Sequence, residues 1–391
     1  MSHQPSAPSH VSPSAISHVS RREFLSAALA LPFFPQTSAA RFIATVPLGN
    51  PSGTRTAPLG RLLGNGLDAR QFTDLSTIDP ADPATLVTPN ERFYIRTSAP
   101  ADILSARPFD KLRASGVDVA TLERDATRVG PWALECAGNA DPANFGLLSA
   151  ASWDGIPIPA ILDRLPKPAT DARVLVSGVD DPGPSVTSTP GASWIFTRDQ
   201  LERAILAVRM NGAPLPRHHG DPARLIVPGW YGCACIKWVD RISFVAATAE
   251  ATSQMQEFAE RTHQLFDSLE QLRSLKARDY EPAVIDTAAV PIRVEKWTVN
   301  GRVEYRIVGI VWGGTKPTNA LSIRFKSGTP WVKVESCPLP ASTLTWSTWT
   351  HTWRPAATGR YQIVLRLDDP NIRTRRLDLF FYAREIQIDE T

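Results

Sequence analysis

One cysteine stands where chemistry could be done. Cys136 lies in Leu134-Glu-Cys-Ala-Gly-Asn139, at a glycine-containing turn after an apolar stretch. A thiolate on a tight turn can bind a soft metal. A lone cysteine is more commonly a small buried hydrophobe, and the residues alone leave both readings open. The other cysteines, Cys233, Cys235 and Cys337, add no CxxC or CxxCH pattern. A thioredoxin-type site, a c-type haem and a zinc ribbon therefore lack support. No His/Glu cluster at zinc-ligand spacing appears either.

The elements that must position these residues are short. Arg173-Val-Leu-Val-Ser177 and Arg224-Leu-Ile-Val-Pro228 read as buried strands. Thr197 to Gln200 reads as a capping box, and Leu201, Ile205 and Val208 then share one helical face. That spacing predicts a helix ending near Asn211-Gly212. Residues 250–280 read as a charged helical connector. Beyond about residue 288 the pattern changes to period two. Leu321, Ile323 and Phe325 alternate with polar neighbours, as do Tyr361, Ile363, Leu365 and Leu367, and Leu377, Leu379 and Phe381. Such runs, separated by Gly, Pro, Asn and Asp, predict an antiparallel sandwich. Trp346, Trp349 and Trp353 are expected in its core or at an interface.

The 391 residues allow two or three domains. Apolar residues make up 43% and charged residues 21%, which excludes a disordered chain and a small disulfide scaffold. A net charge of +3, with no dense basic stripe, excludes nucleic acid as an expected partner. The 34 prolines favour a loop-rich, strand-containing fold. Residues 1–40 read as a twin-arginine export signal. Arg21-Arg22 precede an apolar run from Phe24 to Phe34, and small residues Thr37 to Ala40 follow. Cleavage after Ala40 would leave 41–391, destined for the periplasm. That route carries folded proteins, often with a cofactor inserted inside the cell. The expected organisation is a Pro/Gly-rich, extended lead-in at 41–90, a cofactor domain at 91–280 and a sandwich at 281–391.

Three separated blocks carry a resemblance. Glu135-Cys-Ala-Gly-Asn139 is followed by Ser152-Trp-Asp-Gly-Ile-Pro-Ile-Pro-Ala-Ile-Leu162. Met210 to Ile242 reads MNGAPLPRHHGDPARLIVPGWYGCACIKWVDRI. The last block comprises Ile310-Val-Trp-Gly-Gly314, the Trp331 region and Gly359-Arg-Tyr361. Over roughly residues 85–385 the chain resembles the sulfite oxidase family, which carries molybdenum on a pyranopterin (molybdopterin). The resemblance implies an α+β fold: a mixed α/β molybdopterin-binding domain followed by an immunoglobulin-like sandwich. It makes Cys136 the metal's protein thiolate, with a thiol pKa depressed by that metal. It places His219, Arg224 and Lys237 at the pterin phosphate, where charge-assisted bonds are strong. It brings the backbone of Cys235 and Ile236 to the same group and Asp180 to the pterin ring. Phe93-Tyr94-Ile95-Arg96 matches a family strand whose two aromatics lie at the cofactor. Its arginine, Arg96 here, faces the oxyanion pocket.

The chain also departs from the family. Thr97-Ser98 stand where sulfite oxidases have Asn-His, and Ala140-Asp141 where a basic residue follows the cysteine turn. Phe258 aligns with an active-site tyrosine, and Gly232-Cys-Ala-Cys235 replaces a loop that holds an arginine. A phenyl ring neither bonds an oxyanion nor relays a proton. A less basic pocket than that of a sulfite oxidase follows. His218 is expected to face solvent, and His263 and His351 receive no role. The reading is an exported molybdenum–pterin oxidoreductase moving an oxygen atom to or from a small sulfur-containing substrate, as a sulfite dehydrogenase does. Electrons would pass to a separate carrier, a c-type cytochrome or a membrane quinone-linked haem protein. Dimerisation through the sandwich follows by analogy. The alternatives are a sulfoxide reductase, acting for example on methionine sulfoxide, or a non-catalytic exported binding protein on the same fold.

Overall fold

In the cofactor region the site is assembled at the ends of antiparallel strands. The computed structural model describes residues 40–50, 59–61, 70–97, 118–139, 145–166, 168, 171–180, 192–326 and 328–391. The twin-arginine segment lies outside them, as do Ser98, Ala140 and Asp141. Among the described residues no helix is long and apolar enough to cross a membrane.

The strands come in chain order. β1 (Arg41–Val46) begins the lead-in, and β2 (Arg70–Gln71) pairs with β3 (Ile95–Arg96). After helix α1 (Val119–Asp125) come β4 (Thr127–Glu135) and β5 (Leu148–Pro157), then helix α2 (Ile158–Leu162). β6 (Arg173–Gly178), β7 (Ser193–Phe196), β8 (Ile205–Met210), β9 (Ala213–Pro214), β10 (Arg224–Ile226) and β11 (Val239–Val245) follow. One sheet runs β10-β8-β5-β4, with β9 paired to β8, and a second runs β11-β6-β7. β5 is central and buried along almost its whole length, with Ala150, Ala151 and Trp153 fully inside.

The helix expected from the capping box to near Asn211-Gly212 is absent. The capping box forms: Thr197 N donates to Gln200 Oε1 at 2.9 Å, and Gln200 N to Thr197 Oγ1 at 3.1 Å. It caps only a 3₁₀ turn, Asp199–Leu201, after which the chain enters β8. Five of the six β8 residues are buried, because covered faces lie on both sides. A strand buried on both faces shows no alternation, so its apolar positions matched a helical stripe by accident.

Two four-stranded antiparallel sheets complete the chain. β12 (Ala288–Val299), β13 (Arg302–Trp312) and β16 (Ser347–Trp353) form one in the order β1-β12-β13-β16. β14 (Leu321–Arg324), β15 (Val332–Lys333), β17 (Gly359–Leu367) and β18 (Arg384–Ile388) form the other, ordered β15-β14-β17-β18. The start of the lead-in is thus an edge strand of the C-terminal sheet, with Arg41 opposite Thr298. Trp349 is buried and donates Nε1 to Ile310 O, whereas Trp346 reaches back to Leu86 O at 3.0 Å. Residues 250–280 form short pieces, including α3 (Ser253–Glu257) and α4 (Leu269–Ser274).

The alternation Leu377, Leu379, Phe381 is not a strand. Phe380 takes a left-handed φ of 52° and opens a 3₁₀ turn, Phe380–Tyr382. Phe381 stacks on Phe145 at 4.3 Å between centroids, so the apolar residues pin a loop instead of lining a sheet.

Candidate active site

Cys136 follows the last residue of β4, and the turn around it is closed by its own neighbours. Cys136 N donates to Leu147 O at 2.9 Å, and Asn139 N donates to Cys136 O at 3.0 Å. Asn139 Oδ1 accepts from Gly146 N and Leu147 N, and Asn139 Nδ2 donates to Glu135 Oε1 at 2.9 Å. The asparagine thus ties both ends of the turn and leaves the sulfur facing outward. Arg261 Nε adds a bond to Ala137 O at 2.9 Å.

The sulfur faces a cavity of about 510 Å³. Tyr94, Arg96, Cys136, Asp180, His219, Arg224, Cys235, Ile236 and Lys237 all line it. Phe93 alone among the residues singled out above does not. It is fully buried behind the wall, stacked on Tyr94 at 5.3 Å and edge-on to His219 and Trp153. Its neighbour Tyr94, whose ring it backs, takes the cavity face.

His219 and Arg224 bracket a tight turn. Gly220, at φ 118°, takes a conformation that a side chain would strain, and it lets the chain pass Lys237 closely. Arg224 Nη1 donates to His219 O at 3.1 Å, and His219 Nε2 donates to Asn90 O at 3.2 Å. Lys237 Nζ donates to Arg96 O at 3.2 Å and His218 O at 3.1 Å, with its charge 4.3 Å from the Trp238 ring centre. Gly178 permits the close pass of Lys237 O that brings Asp180 alongside, since a Cβ there would lie 2.4 Å from that oxygen. The Cys235 N–H is taken up by Gly232 O at 3.1 Å, and Val227 N donates to the Cys235 sulfur at 3.4 Å. What Cys235 offers the cavity is therefore not a free amide.

Burial sets the electrostatics. It raises the Cys136 thiol above its ordinary range, against the Gly138 amide, Arg96 and Arg261, which favour the thiolate. It raises Tyr94 well above the usual phenol value. Burial, then Arg224, lowers His219 to about 3, so the ring is neutral at physiological pH. Burial, then Arg224, also lowers Lys237 to about 7, with Asp180 opposing.

The His219 shift predicts a pH dependence. The folded state resists protonation there, while the unfolded ring takes a proton near 6.5. Its contribution is fully present above pH 6.5 and is lost as pH falls from 6.5 towards 3. The loss is on the order of 5 kcal/mol across that window. Urea midpoints between pH 7 and 4 should fall more steeply for the wild type than for His219→Gln. Equal slopes would contradict the assignment.

Sequence reading missed several cavity residues. Gln254 and Glu257 line it from α3, beside Phe258, in a stretch with no motif of its own. Cys233 lines it as well. His218 lines the cavity half-buried, not solvent-facing as expected. His263 lies 3.7 Å from Asp286, and His351 stacks on Phe325.

Whether the residues suit a phosphate-bearing cofactor can be tested on Arg224. Its Nε is buried with no hydrogen-bond partner, and neither Arg224 nor Lys237 has a carboxylate ion pair among the described residues. Arg224, held by one carbonyl bond, leaves a buried donor unmet beside the Lys237 amine, and an anion's oxygens would answer it. A half-buried thiol stands on the same cavity. Phosphate donors and a soft-metal ligand together fit a metal–pterin.

Residues 115–253 match the family model for the oxidoreductase molybdopterin binding domain. That stretch is a molybdopterin-binding domain of the oxidoreductase kind. It is sulfite oxidase-like: the mitochondrial sulfite oxidase of Drosophila melanogaster is 32% identical over 192 residues, 44% of this chain and 32% of that protein. The mouse enzyme is 28% identical over 262 residues, 58% and 48% of the two chains. An NADPH nitrate reductase of Beauveria bassiana is 33% identical over 134 residues, 31% of this chain and 15% of that one. The chain thus spans less than half the length of each of these relatives. The fold resembles the solved sulfane dehydrogenase SoxCD of Paracoccus pantotrophus, with a TM-score of 0.57 at 18% identity, covering 84% of this chain and 89% of that one.

Proposed function

We propose that the chain is an exported, periplasmic oxidoreductase that transfers an oxygen atom to or from a small sulfur-containing substrate. Electrons pass to a separate carrier, a c-type cytochrome or a membrane quinone-linked haem protein. The observation that carries this reading is the single cavity holding the Cys136 thiol, the buried Arg224 with its unpartnered Nε, and Lys237. A bound molybdenum–pterin supplies two-electron chemistry at the metal. Cys136 holds that metal, Arg224 and Lys237 bind the phosphate, and neutral His219 buttresses the turn between them. Asp180 bonds the pterin ring, and Arg96 orients an oxygen of the substrate. The C-terminal sheets form an immunoglobulin-like layer suited to dimerisation.

Cys233, Gln254, Glu257 and Phe258 favour a second reading. They give that side of the cavity no cation, which suits a neutral sulfoxide better than a sulfite dianion. The deciding experiment uses protein exported from a host that makes the cofactor. A molybdenum-to-protein ratio near one supports the first premise, and a ratio near zero in folded protein removes it. Turnover of sulfite with an acceptor dye supports oxidation. Turnover only of a sulfoxide with reduced viologen supports reduction.

A further inference from the structure

We infer that Arg375, from the loop between β17 and β18, is a positioning residue for the Cys136 sulfur. The inference rests on the proposed role of Cys136 and adds a residue 240 positions from Glu135. Arg375 Nη1 donates to Glu135 Oε1 and Nη2 to Glu135 Oε2, each at 2.6 Å. The carboxylate is fully buried and the Arg375 side chain is 12% exposed. Trp312 Nε1, at the end of β13, donates to Glu135 Oε2 at 2.8 Å, and Asn139 Nδ2 to Oε1 at 2.9 Å. Each oxygen thus accepts two bonds, and the carboxylate has one orientation that satisfies all four donors.

That orientation is passed to the turn. Glu135 and Asn139 flank Cys136 and are bonded to each other, so the plane set by the Arg375 fork sets the ends of the loop. Arg375 is itself held. Its N donates to Thr287 O at 3.1 Å, and Thr287 N donates to Arg373 O at 3.2 Å. Its guanidinium also donates to Tyr231 OH at 2.9 Å and to Tyr382 OH at 2.6 Å. A buried ion pair is weak evidence for stability, because apolar residues of similar size often serve as well. What the fork supplies is a fixed plane and fixed distances, which a lysine does not. Partners behind a metal ligand commonly tune it in this way.

The test compares Arg375→Gln and Arg375→Lys with Arg293→Gln. Arg293 forms another well-buried pair, with Glu295 at 2.8 Å, and bonds Ser76 O and Ile78 O. It has no hydrogen bond to the cysteine turn. In the cofactor-loaded full chain, both Arg375 variants are expected to shift the thiolate-to-metal absorption band, and Arg293→Gln to leave it in place. In the full chain from a host lacking the cofactor, alkylation of Cys136, mapped by mass spectrometry, is expected to change at least tenfold in the Arg375 variants. It should change less than twofold in Arg293→Gln at equal distance below each melting temperature. Arg375→Lys keeps the charge and covers the case in which Arg375→Gln does not fold. Equal changes in all three variants, or none in the Arg375 variants, would overturn the inference. Absence of molybdenum from the wild type would remove the proposed function instead, and the alkylation contrast would still decide the positioning role.

Discussion

Cys136→Ala is expected to lose at least a thousandfold in oxygen-transfer rate, equivalent to about 4 kcal/mol of barrier. The expectation follows from the proposed ligand role, since alanine leaves no atom to bind a metal. The fold should barely register the change. Cys136 is half-buried, its backbone bonds run through its own N and O, and those survive the substitution. A melting shift of no more than about 1–2 °C is anticipated, corresponding to roughly 1 kcal/mol in a chain of this size. Steady-state rates with dye carriers, metal content and calorimetry on one preparation read all three quantities. Undiminished activity in the alanine variant would remove the thiolate from the mechanism.

Arg224→Met should separate stability from cofactor retention with opposite signs. In the protein without cofactor, Arg224 is a buried cation whose Nε has no partner, held by one bond to His219 O and a contact over Trp153 at 5.8 Å. Burying an unsatisfied donor costs about 1–3 kcal/mol, and an apolar side chain of similar length removes that cost. The cofactor-free variant is therefore expected to be as stable as the wild type or about 1 kcal/mol more stable, by urea midpoint. Loaded protein should lose cofactor about a hundredfold more readily, because a hydrogen bond to a charged group contributes about 1.5–3 kcal/mol. His219 should also protonate more easily, since Arg224 is the largest charge opposing it. A large fall in cofactor-free stability would show that Arg224 serves the core and not an anion.

What could be read from the chain was what lay close together in it. His219, Arg224 and Lys237 fall within one short block whose strand, turn and glycine place them on one wall, so the block carries its own geometry. The turn at Cys136 is equally local, since Glu135, Cys136 and Asn139 bond among themselves. The support behind it was not legible, because Arg375 and Trp312 come from the far end of the chain and carry no motif. Phe93 was assigned to the cavity with Tyr94, but it is buried behind the Tyr94 ring, and spacing alone does not say which of two neighbouring aromatics lines the wall. Strand β8 was misread because continuous burial erases the period that separates strand from helix. Gln254 and Glu257 were missed because a five-residue helix has no amphipathic pattern to read.

The pairing of β1 with β12 has a consequence for the order of events at the ribosome. Arg41 to Val46 emerge early, yet their ladder partners, Thr298 to Val294, are made some 250 residues later. At roughly 5–20 residues per second, β1 has no sheet to join for about 10–50 s. The earliest-made strand is thus among the last to find its place, and loop-closure entropy slows such distant pairings further. Until then its backbone amides and carbonyls have no ladder partners. The amino end of this protein gains its backbone partners only from the carboxyl end, which makes its docking a marker that synthesis has reached the last sheets.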